Sequence, residues 1–177
     1  MIRYYVTDRR QGDVLTAAAR AVREGVDMIQ VREKDLPGGE LFALVCRIRD
    51  LAGGTKTRVL VNDRLDVALA AGIDGVHLPA NGLPAASVRP FVKLLGVSVH
   101  TLEEAIAAES AGVDFIVFGP IFETPGKTAV GLEPLRKVAA SVKIPVLAIG
   151  GIKLEGAGDV LAAGAAGVAG IRIFQSV

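Results

Sequence analysis

Eight short apolar segments alternate with alanine-rich helical runs along the 177 residues, and that alternation predicts an α/β chain folded as a single (β/α)8 TIM barrel. Two further observations carry the prediction. Four segments share one pattern: EGVDMIQV from Glu24, AGIDGVHL from Ala71, AGVDFIVF from Ala111 and AGAAGVAG from Ala163. Their glycines, Gly25, Gly72, Gly112 and Gly164, lie 47, 40 and 52 residues apart, and each interval accommodates two βα units with helices of ~10–12 residues and strands of ~5. Polar residues also cluster after nearly every strand candidate, whereas an open doubly wound sheet would gather its ligand groups at one switch point.

In chain order, Ile2–Thr7 reads as the first strand and Val14–Arg23 as the helix behind it. The second strand lies in EGVDMIQV and is followed by the helical run Leu41–Leu51; Arg58–Asn62 and Leu65–Ala71 form the third pair. AGIDGVHL supplies the fourth strand, Lys93–Val99 the fifth, with Leu102–Ser110 behind it, and AGVDFIVF the sixth, with Leu132–Ser141 behind it. Pro145–Ile149 is the seventh and AGAAGVAG the eighth, after which residues 171–177 leave room only for a truncated last helix. In each repeat the glycine closes a helix in the left-handed conformation before the chain enters a buried strand. Gly53–Thr57, Pro79–Pro84 and Glu123–Val130 are the loops, so residues 1–177 read as one domain without a linker.

Composition excludes several classes. Hydrophobic residues make up 51% of the chain, yet no apolar run reaches the ~18 residues of a membrane span, and MIRYYVTDRRQGD lacks the pattern of a signal peptide. One cysteine, Cys46, sits in a helical run as a core residue, which excludes an internal disulfide and fits a cytoplasmic protein. A net charge of +1 with interspersed signs, eight aromatic residues and no Trp argue against nucleic acid as a partner. Self-association into a homo-oligomer stays open.

The candidate chemistry lies at strand ends. After the second strand, alternation points Gln30, Arg32 and Lys34 towards the barrel mouth; two cations and an amide there suit an anionic, phosphorylated small molecule. Asn62 can orient a substrate through donor and acceptor together, and Asp63 offers a hard oxygen ligand for Mg²⁺ or, alternatively, a cap for the next helix. His77 and His100 end the fourth and fifth strands as contact residues, acid–base work being the rarer role for a lone histidine. Ser98 has no evident activating base and reads as a hydrogen-bond donor. The loop after the sixth strand brings Thr124 and Lys127. After the seventh, Gly150 and Gly151 allow close backbone approach to a phosphate, with the helix expected after Lys153 aiming its positive end at the same point. A plain tight turn is the alternative for that glycine pair.

Seven of these motifs occur in the order and spacing of a known family: YYVTD at Tyr4, QVREK at Gln30, NDR at Asn62, DGVHL at Asp74, GVSVH at Gly96, FGPIFETPGK at Phe118 and AIGGI at Ala148. On these residues the chain resembles thiamine phosphate synthase and its thiazole tautomerase relatives, which are (β/α)8 barrels. The resemblance implies a transferase that joins hydroxymethylpyrimidine diphosphate to thiazole phosphate and releases pyrophosphate with Mg²⁺. It implies that Arg32, Lys34, Asn62 and Lys127 hold the diphosphate, that Gln30 and Ser98 contact the pyrimidine, that Asp63 binds Mg²⁺, and that Gly150 and Gly151 hold the thiazole phosphate. The chain departs from the family pattern at four places. Gly82 stands where a second metal-binding aspartate is expected; Thr124-Pro125-Gly126-Lys127 lacks one hydroxyl; Arg172 lies where a small serine would adjoin the thiazole phosphate; and Pro120 occupies the place of the tautomerase histidine. The alternatives that the resemblance leaves are a metal-independent isomerase using His77 or His100 and a barrel that binds thiazole phosphate without catalysis.

Overall fold

Short β-branched runs buried on both faces form parallel strands, and here they close on themselves. The computed structural model describes residues 1–175, with every side chain among them except that of Leu154. Strands β1 (Ile2–Val6), β2 (Met28–Val31), β3 (Arg58–Asn62), β4 (Gly75–Leu78), β5 (Leu94–Val99), β6 (Phe115–Phe118), β7 (Val146–Ile149) and β8 (Gly167–Gly170) pair in sequence order, all parallel, with β8 returning to β1. The barrel is the predicted one. Helices α1 (Val14–Arg23), α2 (Gly38–Ala52), α3 (Leu65–Ala71), α4 (Ala85–Val88), α5 (Leu102–Ser110), α6 (Leu132–Ser141), α7 (Ala157–Ala162) and α8 (Arg172–Gln175) follow their strands on the outside. No helix among the described residues is long and apolar enough to cross a membrane.

Strand alternation produces two cores. Outward residues such as Ile29, Val61, Val76 and Ile116 pack under the helices, while Tyr4, Met28, Leu60, Phe115, Val117, Leu147 and Ala169 fill the barrel interior. Gly96 belongs to that interior by packing: a Cβ there would lie 2.3 Å from the Phe115 ring, which instead stands edge-on to Tyr4 with centroids 5.4 Å apart. Cys46 is free and half-buried, packed against the outer core. In α8 the buried Gln175 ties down the β1 loop by accepting from the Tyr5 hydroxyl (3.1 Å) and donating to the Asp8 carbonyl (2.8 Å).

The repeat is a structural unit. Gly25, Gly72, Gly112 and Gly164 all have positive φ, between 62° and 98°, which side chains with a Cβ adopt at a cost. The aspartate that follows each of the first three accepts the backbone N–H at the start of a neighbouring strand: Asp27 from Arg3 at 2.7 Å, Asp74 from Val59 at 3.1 Å and Asp114 from Leu95 at 2.7 Å. The fourth repeat carries Ala166 instead, and Glu109 takes the N–H groups of Lys143 and Ile144 just before β7.

Candidate active site at the strand C-termini

In a parallel barrel every strand points the same way, so the loops after the strands share one rim. Gln30, Arg32, Lys34, Asn62, Asp63, His77, Ser98, His100, Thr124, Lys127, Gly150, Gly151 and Arg172 all lie at or just beyond these strand ends. They are not equivalent there. β2 stops at Val31, so strand alternation governs Gln30 but not Arg32 and Lys34. Gln30 is buried in the interior, Arg32 is half-buried and Lys34 is exposed.

The interior ends in a hydrogen-bonded chain of four side chains. Gln30 Nε2 donates to the Tyr4 hydroxyl at 3.0 Å, that oxygen lies 3.2 Å from His77 Nδ1, and His77 Nε2 lies 2.8 Å from Ser98 Oγ. Tyr4 is fully buried, and its hydrogen has His77 Nδ1 as its acceptor. His77 therefore carries its own proton on Nε2 and donates it to Ser98, which leaves the serine hydrogen free to be given to a ligand. Burial, aided by the positive charge of Arg32, lowers the His77 pKa to about 3, so the ring is neutral at ordinary pH. Burial likewise raises the Tyr4 phenol far above its usual value and keeps it protonated.

This arrangement corrects one expectation and supplies a missing residue. Ser98 does have a histidine beside it, but that nitrogen is a donor, so the serine remains a hydrogen-bond group and not an activated nucleophile. Tyr4 was not singled out in the sequence. The available signal was alternation in Ile2–Thr7, which puts one of two adjacent tyrosines inside a barrel, where its hydroxyl requires a partner.

Asn62 is half-buried and lies beside His77 in the β3–β4 register. Asp63 does not cap α3: the cap position belongs to Arg64, without a side-chain cap bond. Asp63 instead has a left-handed backbone, φ 60°, fixed as its N–H donates to the His77 carbonyl at 3.0 Å. Its exposed carboxylate has no hydrogen bond or ion pair among the described residues. A non-glycine residue in this conformation stores strain of about 1 kcal/mol or more, a mark of sites where side-chain direction matters. Gly82 is its neighbour, since a Cβ on Gly82 would lie 3.0 Å from Asp63 Oδ1. No group of three or more potential metal ligands occurs among the described residues.

His100 is exposed, and its Nδ1 donates to the Gly119 carbonyl at 2.8 Å, which links the β5 and β6 loops. Gly119–Pro120 is a cis peptide. Beyond it, Thr124-Pro125-Gly126-Lys127 forms a tight turn, with the Lys127 N–H donating to Thr124 O at 3.0 Å and Gly126 at φ 77°. Proline then glycine at its centre is the type II preference, which accounts for the departure at this loop. Gly150 and Gly151 have φ values of 99° and 66°, and their missing Cβ atoms make room for Pro120 at 2.5 Å and Phe122 at 2.7 Å. The helix expected after Lys153 begins there as a 3-10 turn, Leu154–Gly156, which runs into α7 at Ala157. Arg172 is exposed at the start of α8, and its Nε donates to Gln11 Oε1 at 3.2 Å.

A closed parallel barrel with its polar groups gathered at the strand C-termini, over a neutral amide–phenol–imidazole–hydroxyl chain, defines an enzyme of the TIM-barrel class. The family model for thiamine monophosphate synthase matches residues 3–174. The chain belongs to that family, whose members are transferases of thiamine biosynthesis. The thiamine-phosphate synthase of Methanoculleus marisnigri is 43% identical over 176 residues, covering 94% of this chain and 83% of its own. That of Roseiflexus sp. is 42% identical, covering 94% of this chain and 75% of its own. Among solved structures, thiamine phosphate pyrophosphorylase from Pyrococcus furiosus matches with a TM-score of 0.92 at 37% identity, covering 99% of this chain and 88% of that one.

Proposed function

We propose that this barrel joins hydroxymethylpyrimidine diphosphate to thiazole phosphate, forming thiamine phosphate and releasing pyrophosphate. The observation that carries the reading is the pairing of rim cations Arg32, Lys34 and Lys127, none in an ion pair among the described residues, with the neutral chain Gln30–Tyr4–His77–Ser98. Cations face the departing diphosphate, while the Gln30 amide and Ser98 hydroxyl read the polar edge of the pyrimidine. As the bond to the diphosphate breaks, positive charge develops on the pyrimidine methylene. A protonated histidine beneath it would repel that charge; the desolvated, neutral His77 does not. The thiazole nitrogen then attacks the methylene carbon.

Mg²⁺ fits this site on stated terms. The Asp63 carboxylate is exposed, unpaired and held in a strained backbone, whereas Gly82 adds no side-chain oxygen. One carboxylate suffices where substrate phosphate oxygens and water complete the octahedron. When bound, the ion would neutralise part of the charge on the leaving diphosphate. We further propose that Asn62 and Thr124 contact the diphosphate side and that the Gly150–Gly151 backbone contacts the acceptor's phosphate.

The isomerase alternative loses one of its two candidate bases, since both His77 nitrogens are engaged, and would have to use exposed His100, whose Nδ1 donates to the Gly119 carbonyl. Incubation with both phosphorylated substrates across a Mg²⁺ series tests the proposal, with thiamine phosphate and pyrophosphate expected in equal amounts. No thiamine phosphate at any Mg²⁺ level rejects it, and calorimetric binding without turnover would favour a non-catalytic barrel.

A further inference from the structure

Past the end of β2, Glu33 is buried between half-buried Arg32 and exposed Lys34, and nothing in the reaction requires it. Its surroundings do. The last ladder bond between β1 and β2 runs from the Thr7 N–H to Gln30 O at 3.0 Å. The Arg32 N–H then donates to Thr7 Oγ1, also at 3.0 Å, so a side chain replaces a ladder carbonyl where the strands end. Thr7 is fully buried, and its own hydrogen must go to another acceptor. That acceptor is Glu33 Oε1 at 2.7 Å.

The Glu33 side chain is only 2% exposed. Burying a carboxylate is expensive, and an apolar residue would serve better if packing were its only task. Its other partners are the Arg9 N–H, 3.1 Å from both oxygens, and the Arg9 guanidinium at 3.6 Å, which also forms a fork with Asp35 at 2.7 and 2.8 Å. The Glu33 carbonyl accepts from the Leu36 N–H at 3.2 Å and closes the turn that carries Lys34. Arg9 is thus doubly engaged, while Arg32 and Lys34 keep their charges unmatched.

We infer that Glu33 is a positioning residue that acts through Thr7 to fix the main chain from which Arg32 and Lys34 reach the diphosphate. The inference rests on the synthase reading. It predicts a selective defect: loss of the Thr7 hydroxyl weakens diphosphate recognition and leaves the thiazole side unchanged. Inorganic pyrophosphate with Mg²⁺ is the calorimetric probe, alongside kcat and separate KM values for the two substrates. Thr7→Val, which keeps the shape, is expected to weaken pyrophosphate binding about tenfold, the scale of losing a supporting hydrogen bond. Thr7→Ser is expected to restore it to within about twofold, and Thr7→Val with Glu33→Gln to be no worse than Thr7→Val alone, as members of one linkage behave.

Equal rises in both KM values, or a lower melting temperature with unchanged pyrophosphate affinity, would overturn the role of Glu33. Failure of the unaltered protein to bind pyrophosphate or to make thiamine phosphate would instead strike the synthase reading itself.

Discussion

Two aspartates at the N-terminal end of the barrel contrast with Asp63 and Arg32 at the other. At the N-terminal end, Asp74 and Asp114 each hold a backbone N–H and an arginine, Arg58 at 2.7 Å and Arg89 at 2.6 Å. At the C-terminal end, the side chains of Asp63 and Arg32 form no ion pair or hydrogen bond among the described residues. Paired charge ties strand to strand; unpaired charge at a rim is available to a ligand. The rim also holds paired groups, Arg9 with Asp35, Arg10 with Asp8 and Arg64 with Asp66, so Arg32 and Asp63 stand out against their own neighbours as well as against the opposite end.

Four experiments sharpen or break that contrast. Arg32→Ala should have the largest effect, lowering kcat/KM by about 10²–10³-fold as the loss of one charge-stabilising group does, with unfolding by urea shifted by less than about 0.5 kcal/mol. A matching loss of stability would show that Arg32 belongs to the fold after all. Acid comes next. His77 has an ordinary pKa of 6.5 when unfolded and about 3 when folded, so the stability it confers is complete above pH 6.5 and is lost as pH falls towards 3. The stability curve should decline there by up to about 1.4 kcal/mol per pH unit from this group, and His77→Gln should flatten it. An unchanged slope in that variant would remove the case for a neutral, dry imidazole.

Asp74→Ala, at the opposite end, should lower the unfolding free energy by about 1–2 kcal/mol through the lost backbone bond, while kcat per folded molecule stays constant; a fall in kcat would erase the division between the ends. Asp63→Gly gives the smallest and most diagnostic stability change. Relief of the left-handed strain should stabilise the protein by about 0.5–1 kcal/mol, yet turnover should no longer respond to Mg²⁺. Lower stability would mean that the Asp63 side chain supports the fold.

Much of the barrel was legible because its signals are local. Apolar runs, helix-closing glycines and the count of eight required no knowledge of distant contacts. The rim was legible only in part. Gln30 and Asn62 obey strand alternation, but Arg32 and Lys34 lie past the end of β2, where period-two reasoning no longer applies. Asp63 reads from sequence as either a metal ligand or a helix cap; the structure removes the cap, because the N–H bond to the His77 carbonyl goes with a left-handed backbone and Arg64 takes the cap position. Tyr4 meets His77 across the barrel, 73 residues away, and Ser98 meets it from the adjacent β5, 21 residues away, and no local pattern records the chain of contacts.

The glycine pair after β7 was read as a ligand cradle, and its neighbours give it a second meaning. A side chain at Gly150 would stand 2.5 Å from Pro120, and one at Gly151 would stand 2.7 Å from Phe122. The sixth and seventh loops are consequently one heritable module. Anyone grafting the Pro120–Lys127 segment onto a different barrel would have to carry the two glycines with it, and natural recombination between strands six and seven faces the same restriction.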